Sequence, residues 1–186
     1  MSNRNIMLSA LKKHTLPLLA ERGFTGKYPH FRRICNDCVE LISFQTNKWG
    51  GSFTVEASAI FPQSNDKNYQ LCEGEGDTDD NITVFSTNRR YRLPGMFDGW
   101  FYYRDVYRTV TLLSGTYYHD VPEKEAHSFA PPRGWKLVQK FDEDTAEQIC
   151  KQVNAQMEQA YQWLTEFEQK HRSGRHKFLL QGQRKK

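Results

Sequence analysis

The sequence predicts an α+β fold, an antiparallel sheet meander with N-terminal and C-terminal helices packed on one face. Apolar residues recur at helical spacing near both ends of the chain, and strand-like runs separated by turn residues fill the part between them. No apolar run approaches the roughly 20 residues that span a bilayer. With 186 residues the chain has the length of one domain. We assign residues 1–171 to a single α+β domain and residues 172–186 to a basic C-terminal tail that we expect to be mobile.

The first segment of the chain has the pattern of an amphipathic helix. Apolar residues recur at helical spacing from about Ile6 to Arg22, and Gly23 supplies a C-terminal stop. Pro17 lies inside this segment, where it removes a backbone donor and crowds the preceding turn. We therefore predict a helix that is kinked or restarted near Thr15.

Three strand-like runs follow the first helix and form an antiparallel meander. The Asn36–Asp37 pair and the segment 49–51 separate them, and both are typical of turns. The runs cover residues 28–34, 38–46 and 52–61. In the third run, apolar residues alternate with Thr54, Glu56 and Ser58, which is the pattern of a strand with one face in the core and the other in solvent.

The second half of the chain contains further strands and the clearest helix. We predict strands at residues 81–87, 100–113 and 135–140, the last of which completes the sheet. Asp144 and Glu147 form a capping-box pattern ahead of an apolar stripe that repeats at helical spacing. This pattern predicts a helix over residues 145–170 that packs on the sheet.

Charge is distributed unevenly along the chain. The net charge is +4, from 26 Lys and Arg against 22 Asp and Glu. Residues 170–186 contain seven basic residues and no acidic one, so residues 1–169 keep 19 basic and 22 acidic groups and a net charge of −3. The acidic residues are densest in a glycine-containing segment of the kind that forms solvated loops. This acidic segment contains Glu73, Glu75, Asp77, Asp79 and Asp80.

Two of the four cysteines, Cys35 and Cys38, form a C-x-x-C motif. The residues between them indicate a turn between two strands. No second C-x-x-C or H-x-x-x-H motif supplies further ligands at a spacing that zinc sites use, so we predict no metal site. The N-terminus lacks the continuous apolar stretch of a secretory signal, so we expect reduced thiols and a cytoplasmic location.

The sequence contains no motif for catalysis or for cofactor binding. It lacks both glycine-rich phosphate-binding motifs, the G-x-S-x-G nucleophile motif and the H-E-x-x-H zinc motif. Its six histidines are scattered singly. We therefore predict no catalytic residues and no cofactor, and we do not expect an enzyme. A site assembled from scattered residues stays open as an alternative.

Two kinds of surface are candidates for binding another macromolecule. The acidic segment is suited to a basic groove of a protein partner, whose approach it would steer electrostatically. Further candidate contact residues are Trp49, Trp100, Tyr102 and Tyr103, because Trp and Tyr often dominate interface energetics, although core packing is the alternative for each. The basic tail is suited to nucleic acid, but the acidic remainder of the chain would repel a duplex.

Four stretches of the sequence resemble the domain-of-unknown-function 4304 family. They are LPLLAERGF (16–24), HFRRI (30–34), LISFQTNKWGGSFTVEASAIFP (41–62) and RLPGMFDGWFYYR (92–104). The resemblance rests most on Phe44, Gln45 and Trp49 with the Phe-Thr-Val strand after them, and it departs at Glu56 and Ser58, where Asn and Gly are expected. It carries over no activity. It implies an immunity protein, because small α+β proteins of this kind are often encoded beside bacterial secreted toxins.

The resemblance and the residues together lead to one expected function. We expect a cytoplasmic monomer that forms a heterodimer with a cognate toxin domain and occludes its active site. The acidic segment would suit the basic groove of a nuclease or the Arg-lined NAD cleft of an ADP-ribosyltransferase. The alternative is a nucleic-acid-associated accessory protein that acts through the basic tail. Under the first hypothesis, the toxin domain is the partner, and we expect the protein to bind neither nucleic acid nor a membrane.

Overall fold

Helices lie at both ends of the chain and strands occupy the part between them. The computed structural model describes residues 1–48, 50–64, 66, 70, 82–96, 98–111, 115–118 and 135–183. The elements in chain order are α1 (Asn3–His14), α2 (Leu16–Glu21), β1 (Thr25–Lys27), β2 (His30–Ile34), β3 (Val39–Thr46), β4 (Ser52–Ile60), a 3-10 turn (Val84–Ser86), β5 (Tyr91–Arg92), β6 (Phe101–Tyr102), β7 (Val106–Thr111), β8 (Gly115–Tyr118), β9 (Trp135–Gln139) and α3 (Glu143–Gln183).

The first six strands form an antiparallel sheet. Its order is β1-β2-β3-β4-β5, and β6 also pairs with β4. Together with helices at the two ends of the chain, this sheet confirms the predicted α+β class. The segment 100–113 contains β6 and β7, so the strand prediction for it is confirmed.

The last strand, β9, belongs to a second sheet of three strands in the order β8-β7-β9. Val106 of β7 faces Gln139 of β9, and Thr109 faces Trp135. The predicted strand at 135–140 is confirmed, whereas the prediction that it completes the main sheet is wrong. Pairing partners are chosen by long-range register, which the local pattern of a single strand does not contain.

The N-terminal helical segment breaks at Thr15, as predicted. Helix α1 ends with the Thr15 N–H donating to the carbonyl of Leu11 at 2.9 Å, and the carbonyl of Thr15 then accepts from Leu18 at 3.1 Å at the start of α2. Pro17 is the second residue of α2. Its missing N–H costs nothing in a first helical turn, where that donor has no partner within the helix.

Helix α3 begins earlier and ends later than predicted. The carboxylate of Asp142 accepts from the backbone N–H of Thr145 at 2.8 Å and from its hydroxyl at 2.6 Å. Asp142 is therefore the N-cap, and the predicted capping box of Asp144 and Glu147 is wrong. The helix continues past Lys170 to Gln183.

The segment before β5 does not form the predicted strand at 81–87. Val84–Ser86 form a 3-10 turn in which the Thr83 hydroxyl accepts from Phe85 N–H and the Ser86 hydroxyl accepts from Thr83 N–H. These side chains satisfy the local backbone, which explains why Ser and Thr favour a turn over a strand here.

The chain divides into two compact units, each built from separate stretches of sequence. The first consists of Met1–Glu21, Gln45–Thr54 and Pro94–Ala155, and the second of Arg22–Phe44, Val55–Leu93 and Gln156–Lys186. The single domain over residues 1–171 and the mobile tail over 172–186 stay predictions. None of the helices in the described ranges is both long and apolar enough to cross a membrane.

In the first unit, Asp105 joins three distant stretches of chain. Its Oδ1 accepts from the backbone N–H of Phe141 at 2.8 Å and from Nδ2 of Asn3 at 3.4 Å. One carboxylate oxygen therefore holds the start of α1 and the residue ahead of the α3 N-cap.

In the second unit, aromatic side chains at the ends of two strands lie close to aromatic rings of α3. Phe24 lies 6.2 Å from Tyr161 between ring centroids, and Phe61 lies 6.1 Å from Phe167. The apolar stripe predicted for the helix is confirmed, because its apolar members in the described residues are buried. They are Ile149, Val153, Met157, Ala160, Leu164 and Phe167.

Candidate functional site

Partly exposed aromatic and cationic side chains lie on β6 and directly beside it. Side chains alternate across a strand, and Phe101 points inward, where it is fully buried and stacks on Phe53 with ring centroids 5.3 Å apart. Tyr102 on the strand and the residues at 100 and 104 that flank it are partly exposed. We call these three residues the aromatic face: Trp100, Tyr102 and Arg104.

Two residues of the aromatic face contact each other. The guanidinium carbon of Arg104 lies 4.5 Å from the centroid of the Tyr102 ring, a cation–π contact that restrains both side chains. The Tyr102 backbone is fixed by its pairing with Ser52 of β4. Flat side chains held in place before binding lose little conformational entropy when a partner covers them. The face thus has the geometry of a preformed contact surface.

Tyr103 belongs to the core and not to this face. It is 4% exposed, and its ring lies 6.3 Å from Phe53 and 6.2 Å from Phe141 between centroids. Tyr103 is one of the contact residues predicted from the sequence, and its burial corrects that prediction. The cause is the alternation of β6, which turns Tyr102 outward and Tyr103 inward.

The other candidate contact residues lie outside the described residues. These are Trp49 and the five carboxylates of the acidic segment, Glu73, Glu75, Asp77, Asp79 and Asp80. Their role in binding stays a prediction.

The polar side of β4 is buried, which corrects the predicted wet face. All nine residues of the strand are buried. Glu56 is held by two arginines of the second unit: its Oε1 contacts Nη2 of Arg92 at 2.6 Å, and its Oε2 contacts Nη1 of Arg90 at 3.5 Å. The Glu56 side chain is 4% exposed, so the carboxylate depends on these partners for its charge compensation.

Ser58, two residues further along β4, is also buried and is hydrogen-bonded to the segment that precedes β5. Its hydroxyl lies 2.8 Å from the Thr87 hydroxyl and 2.6 Å from the carbonyl of Arg89, and the Thr87 hydroxyl donates to the carbonyl of Val84 at 2.7 Å. The alternating pattern of β4 predicts a solvent-exposed polar face, but the segment around the 3-10 turn covers this face and forms hydrogen bonds to Ser58.

A serine and a histidine lie in hydrogen-bond contact, as they do in nucleophilic hydrolases. Oγ of Ser43 is 2.9 Å from Nδ1 of His30, since the two residues face each other in the pairing of β2 with β3. Burial lowers the pKa of His30, which keeps the ring neutral. Ser43 is 1% exposed, however, so a substrate has no access to its hydroxyl. The pair is a structural hydrogen bond between strands.

The C-x-x-C motif forms the predicted hairpin turn. Cys35 N–H donates to the carbonyl of Cys38 at 2.9 Å, and β2 and β3 leave the turn paired at Ile34 and Val39. Among the described residues, Cys35, Cys38 and Cys150 are free thiols. Cys38 is 3% exposed, and burial raises the pKa of its thiol far above the usual range.

Two carboxylates converge on this turn. Single ligand atoms of Asp37, Cys38 and Glu168 all lie within 4.8 Å of one another. Cys35 lies at the other end of the same turn, where its N–H donates to the carbonyl of Cys38. We call these four residues the thiol cluster: Cys35, Asp37, Cys38 and Glu168. The sequence motif does not indicate Glu168, because this residue comes from α3, far along the chain from the motif.

An arginine is paired with both carboxylates of the thiol cluster. Nη2 of Arg172 lies 2.6 Å from Oε1 of Glu168 and 3.3 Å from Oδ1 of Asp37. The i to i+4 spacing of Glu168 and Arg172 places both on one side of α3. The arginine thus holds the two carboxylates beside the thiols.

Comparison with known proteins gives one match. The sequence signature of a family described as a domain of unknown function (DUF4304) matches residues 15–166. No curated protein and no solved structure shows significant similarity to the chain.

Proposed function

Because the chain belongs to the DUF4304 family, whose description names no activity, we propose a function from its own surface: it is a protein-binding inhibitor that neutralises a cognate bacterial toxin domain. In this function the protein acts as an immunity protein and occludes the active site of the toxin. It forms a heterodimer with that domain in the cytoplasm of the cell that makes it.

The aromatic face supports this proposal most directly. Trp, Tyr and Arg are the residue types that most often dominate binding energy at protein interfaces, and here one of each is partly exposed within five consecutive residues. The cation–π contact between Arg104 and Tyr102 orders the face before binding. The position of the face beside the buried Phe53–Phe101 stack gives it a rigid support.

Charge gives the proposal its second support. The net charge of −3 over residues 1–169 is concentrated in the acidic segment, which lies outside the described residues. Carboxylates at this density attract a basic groove at long range and raise the association rate. A nuclease groove and the Arg-lined NAD cleft of an ADP-ribosyltransferase both offer such a surface, and either is a target for occlusion.

The first experiment isolates the partner and tests the aromatic face at the same time. The wild-type chain and the Trp100→Ala, Tyr102→Ala and Leu18→Ala variants serve as bait in extract of the native host at moderate salt. Leu18→Ala is the matched control, because this side chain is 41% exposed on α2, away from β6 in sequence. Bound proteins are identified by mass, and bound nucleic acid is quantified.

The expected result is one stoichiometric partner whose toxicity on expression is suppressed by the wild-type chain. Loss of a central aromatic anchor costs about 2 kcal/mol or more, so Tyr102→Ala should weaken the complex about 30-fold or more while Leu18→Ala leaves it unchanged. Equal binding of the partner by all folded variants would remove the aromatic face from the interface. Recovery of nucleic acid alone would contradict the proposal and support the alternative, in which the basic tail binds nucleic acid.

A second experiment tests the acidic segment. Changing its five carboxylates to amides is expected to slow association with the purified partner about tenfold and to flatten the salt dependence of the association rate, with a small change in dissociation. Stopped-flow measurements at several salt concentrations give both rates. Association kinetics unchanged by the substitutions would show that the segment does not steer the encounter.

A further inference from the structure

We propose that the thiol cluster is a binding site for Zn²⁺ or a closely similar divalent transition metal, with Cys35, Cys38, Glu168 and Asp37 as the four ligands. Thiolates are soft ligands and carboxylates are hard ones, and zinc is the common biological ion that accepts both in one tetrahedral site. This site is independent of the aromatic face and of the proposed function.

The chain brings the ligands together in two steps. The C-x-x-C spacing, which zinc sites often use, places Cys35 and Cys38 on one tight hairpin turn. Glu168 then comes from α3 to the same turn, so that its carboxylate, that of Asp37 and the Cys38 sulfur lie within 4.8 Å of one another. Three ligand atoms thus converge, and Cys35 on the same turn is the fourth ligand.

The distances are close to those of a tetrahedral site. With zinc–sulfur bonds of about 2.3 Å and zinc–oxygen bonds of about 2.1 Å, ligand atoms on a tetrahedron lie about 3.3 to 3.8 Å apart. For Asp37, Cys38 and Glu168 the observed limit of 4.8 Å requires the side chains to close by about 1 Å, a shift that rotation of two carboxylates supplies. Cys35 completes the set by rotation of its own side chain on the turn.

Arg172 is compatible with metal binding. A carboxylate has two oxygens and about four lone-pair sites, so Glu168 can keep its 2.6 Å contact to Arg172 through one oxygen and give the other to the metal. Residues behind the ligands commonly orient them in this way. The guanidinium also offsets one of the four negative charges that the bound ligands carry.

Metal binding at the thiol cluster is coupled to proton release. When the metal binds, each sulfur forms one bond to it and releases its proton to solvent, so two protons leave per metal and no electron is transferred.

Cobalt titration of the metal-free, reduced full-length chain tests the proposal, because Co²⁺ occupies zinc sites and reports its ligands by absorption. The expected result is one equivalent of Co²⁺ bound, with thiolate-to-cobalt absorption in the near ultraviolet, intense visible bands typical of tetrahedral geometry, release of about two protons and displacement by Zn²⁺. Absence of the thiolate absorption in the wild-type chain would overturn the proposal.

Four variants separate this site from unspecific thiol binding. Cys35→Ser and Cys38→Ser should abolish the tetrahedral spectrum, and Glu168→Gln should raise the dissociation constant at least about tenfold while the thiolate absorption persists. Cys150→Ser, which changes another buried free thiol, is the matched control and should bind as the wild type does. A spectrum that survives Glu168→Gln and both turn variants with unchanged affinity would overturn the assignment.

Circular dichroism of each variant shows whether it is folded. If Cys38→Ser does not fold, Glu168→Gln still decides the outcome, because the Glu168 side chain is 24% exposed and its loss leaves no buried group uncompensated. A zinc-dependent rise in the melting temperature of the wild-type chain that Glu168→Gln reduces provides the same decision without cobalt.

Discussion

Replacing Arg92 by methionine is expected to destabilise the protein by about 3 kcal/mol, because the buried carboxylate of Glu56 then lacks its nearest cation. The side chain of Glu56 is 4% exposed, whereas that of Arg92 is 46% exposed. Without Arg92, the carboxylate keeps the longer 3.5 Å contact to Arg90. Glu56→Gln is expected to cost about 1 kcal/mol, because both arginines already reach water and the amide keeps the shape and an acceptor oxygen of the carboxylate.

Urea unfolding followed by circular dichroism measures both losses, provided that the slope with denaturant is unchanged between variants. The double variant completes a cycle, and we expect a coupling energy of about 1 to 3 kcal/mol between residues 56 and 92. Arg90→Met is the matched control and should cost less than Arg92→Met, because its contact to Glu56 is longer. A loss for Glu56→Gln equal to that for Arg92→Met, or a coupling below about 0.5 kcal/mol, would refute the asymmetry argument.

Three further substitutions test other parts of the structure. Asp142→Ala should lower the melting temperature, because it removes the N-cap of α3. Hydrogen bonds from Thr145 hold the pKa of the Asp142 carboxyl below its usual range, so the difference in melting temperature should be full at neutral pH and disappear as the pH falls through that lowered pKa. Thermal unfolding of both proteins at several pH values measures this difference. Ser58→Ala should cost about 1 kcal/mol in urea unfolding, because it removes the hydroxyl that contacts the buried Thr87 hydroxyl and the carbonyl of Arg89, and a loss near zero would contradict the network. Tyr103→Ala should cost about 3 to 5 kcal/mol through the cavity it leaves in the core, and a variant as stable as the wild type would show that this ring is not buried.

The elements that the sequence predicts correctly are those with a local cause. Pro17 and the residues around it determine the break at Thr15, whatever packs against the helix. The Asn36–Asp37 pair likewise determines a hairpin turn from its own backbone preferences. The existence of α3 and its apolar stripe follow from helical periodicity alone, whereas its end at Gln183 does not.

The features that the sequence did not predict depend on residues far apart in the chain. The alternation of β4 correctly separates two faces, but whether the polar face meets water depends on Arg90 and Arg92, which arrive more than 30 residues later. The ligand set of the thiol cluster depends in the same way on Glu168. The predicted N-cap of α3 is wrong for a different reason. Asp142 and Asp144 are both suitable N-caps, and only the observed hydrogen bonds distinguish them.

The carboxylate of Asp105 has a consequence for how the first unit opens. Because one oxygen accepts both the Phe141 amide and the Asn3 side chain, a movement of Asp105 weakens the hold on both segments at once. Opening at Asp105 therefore releases the start of α1 and the residue ahead of the α3 N-cap together. The exchange of the Phe141 amide proton with solvent therefore reports, at a single backbone position, on the attachment of segments that are more than 130 residues apart in the sequence.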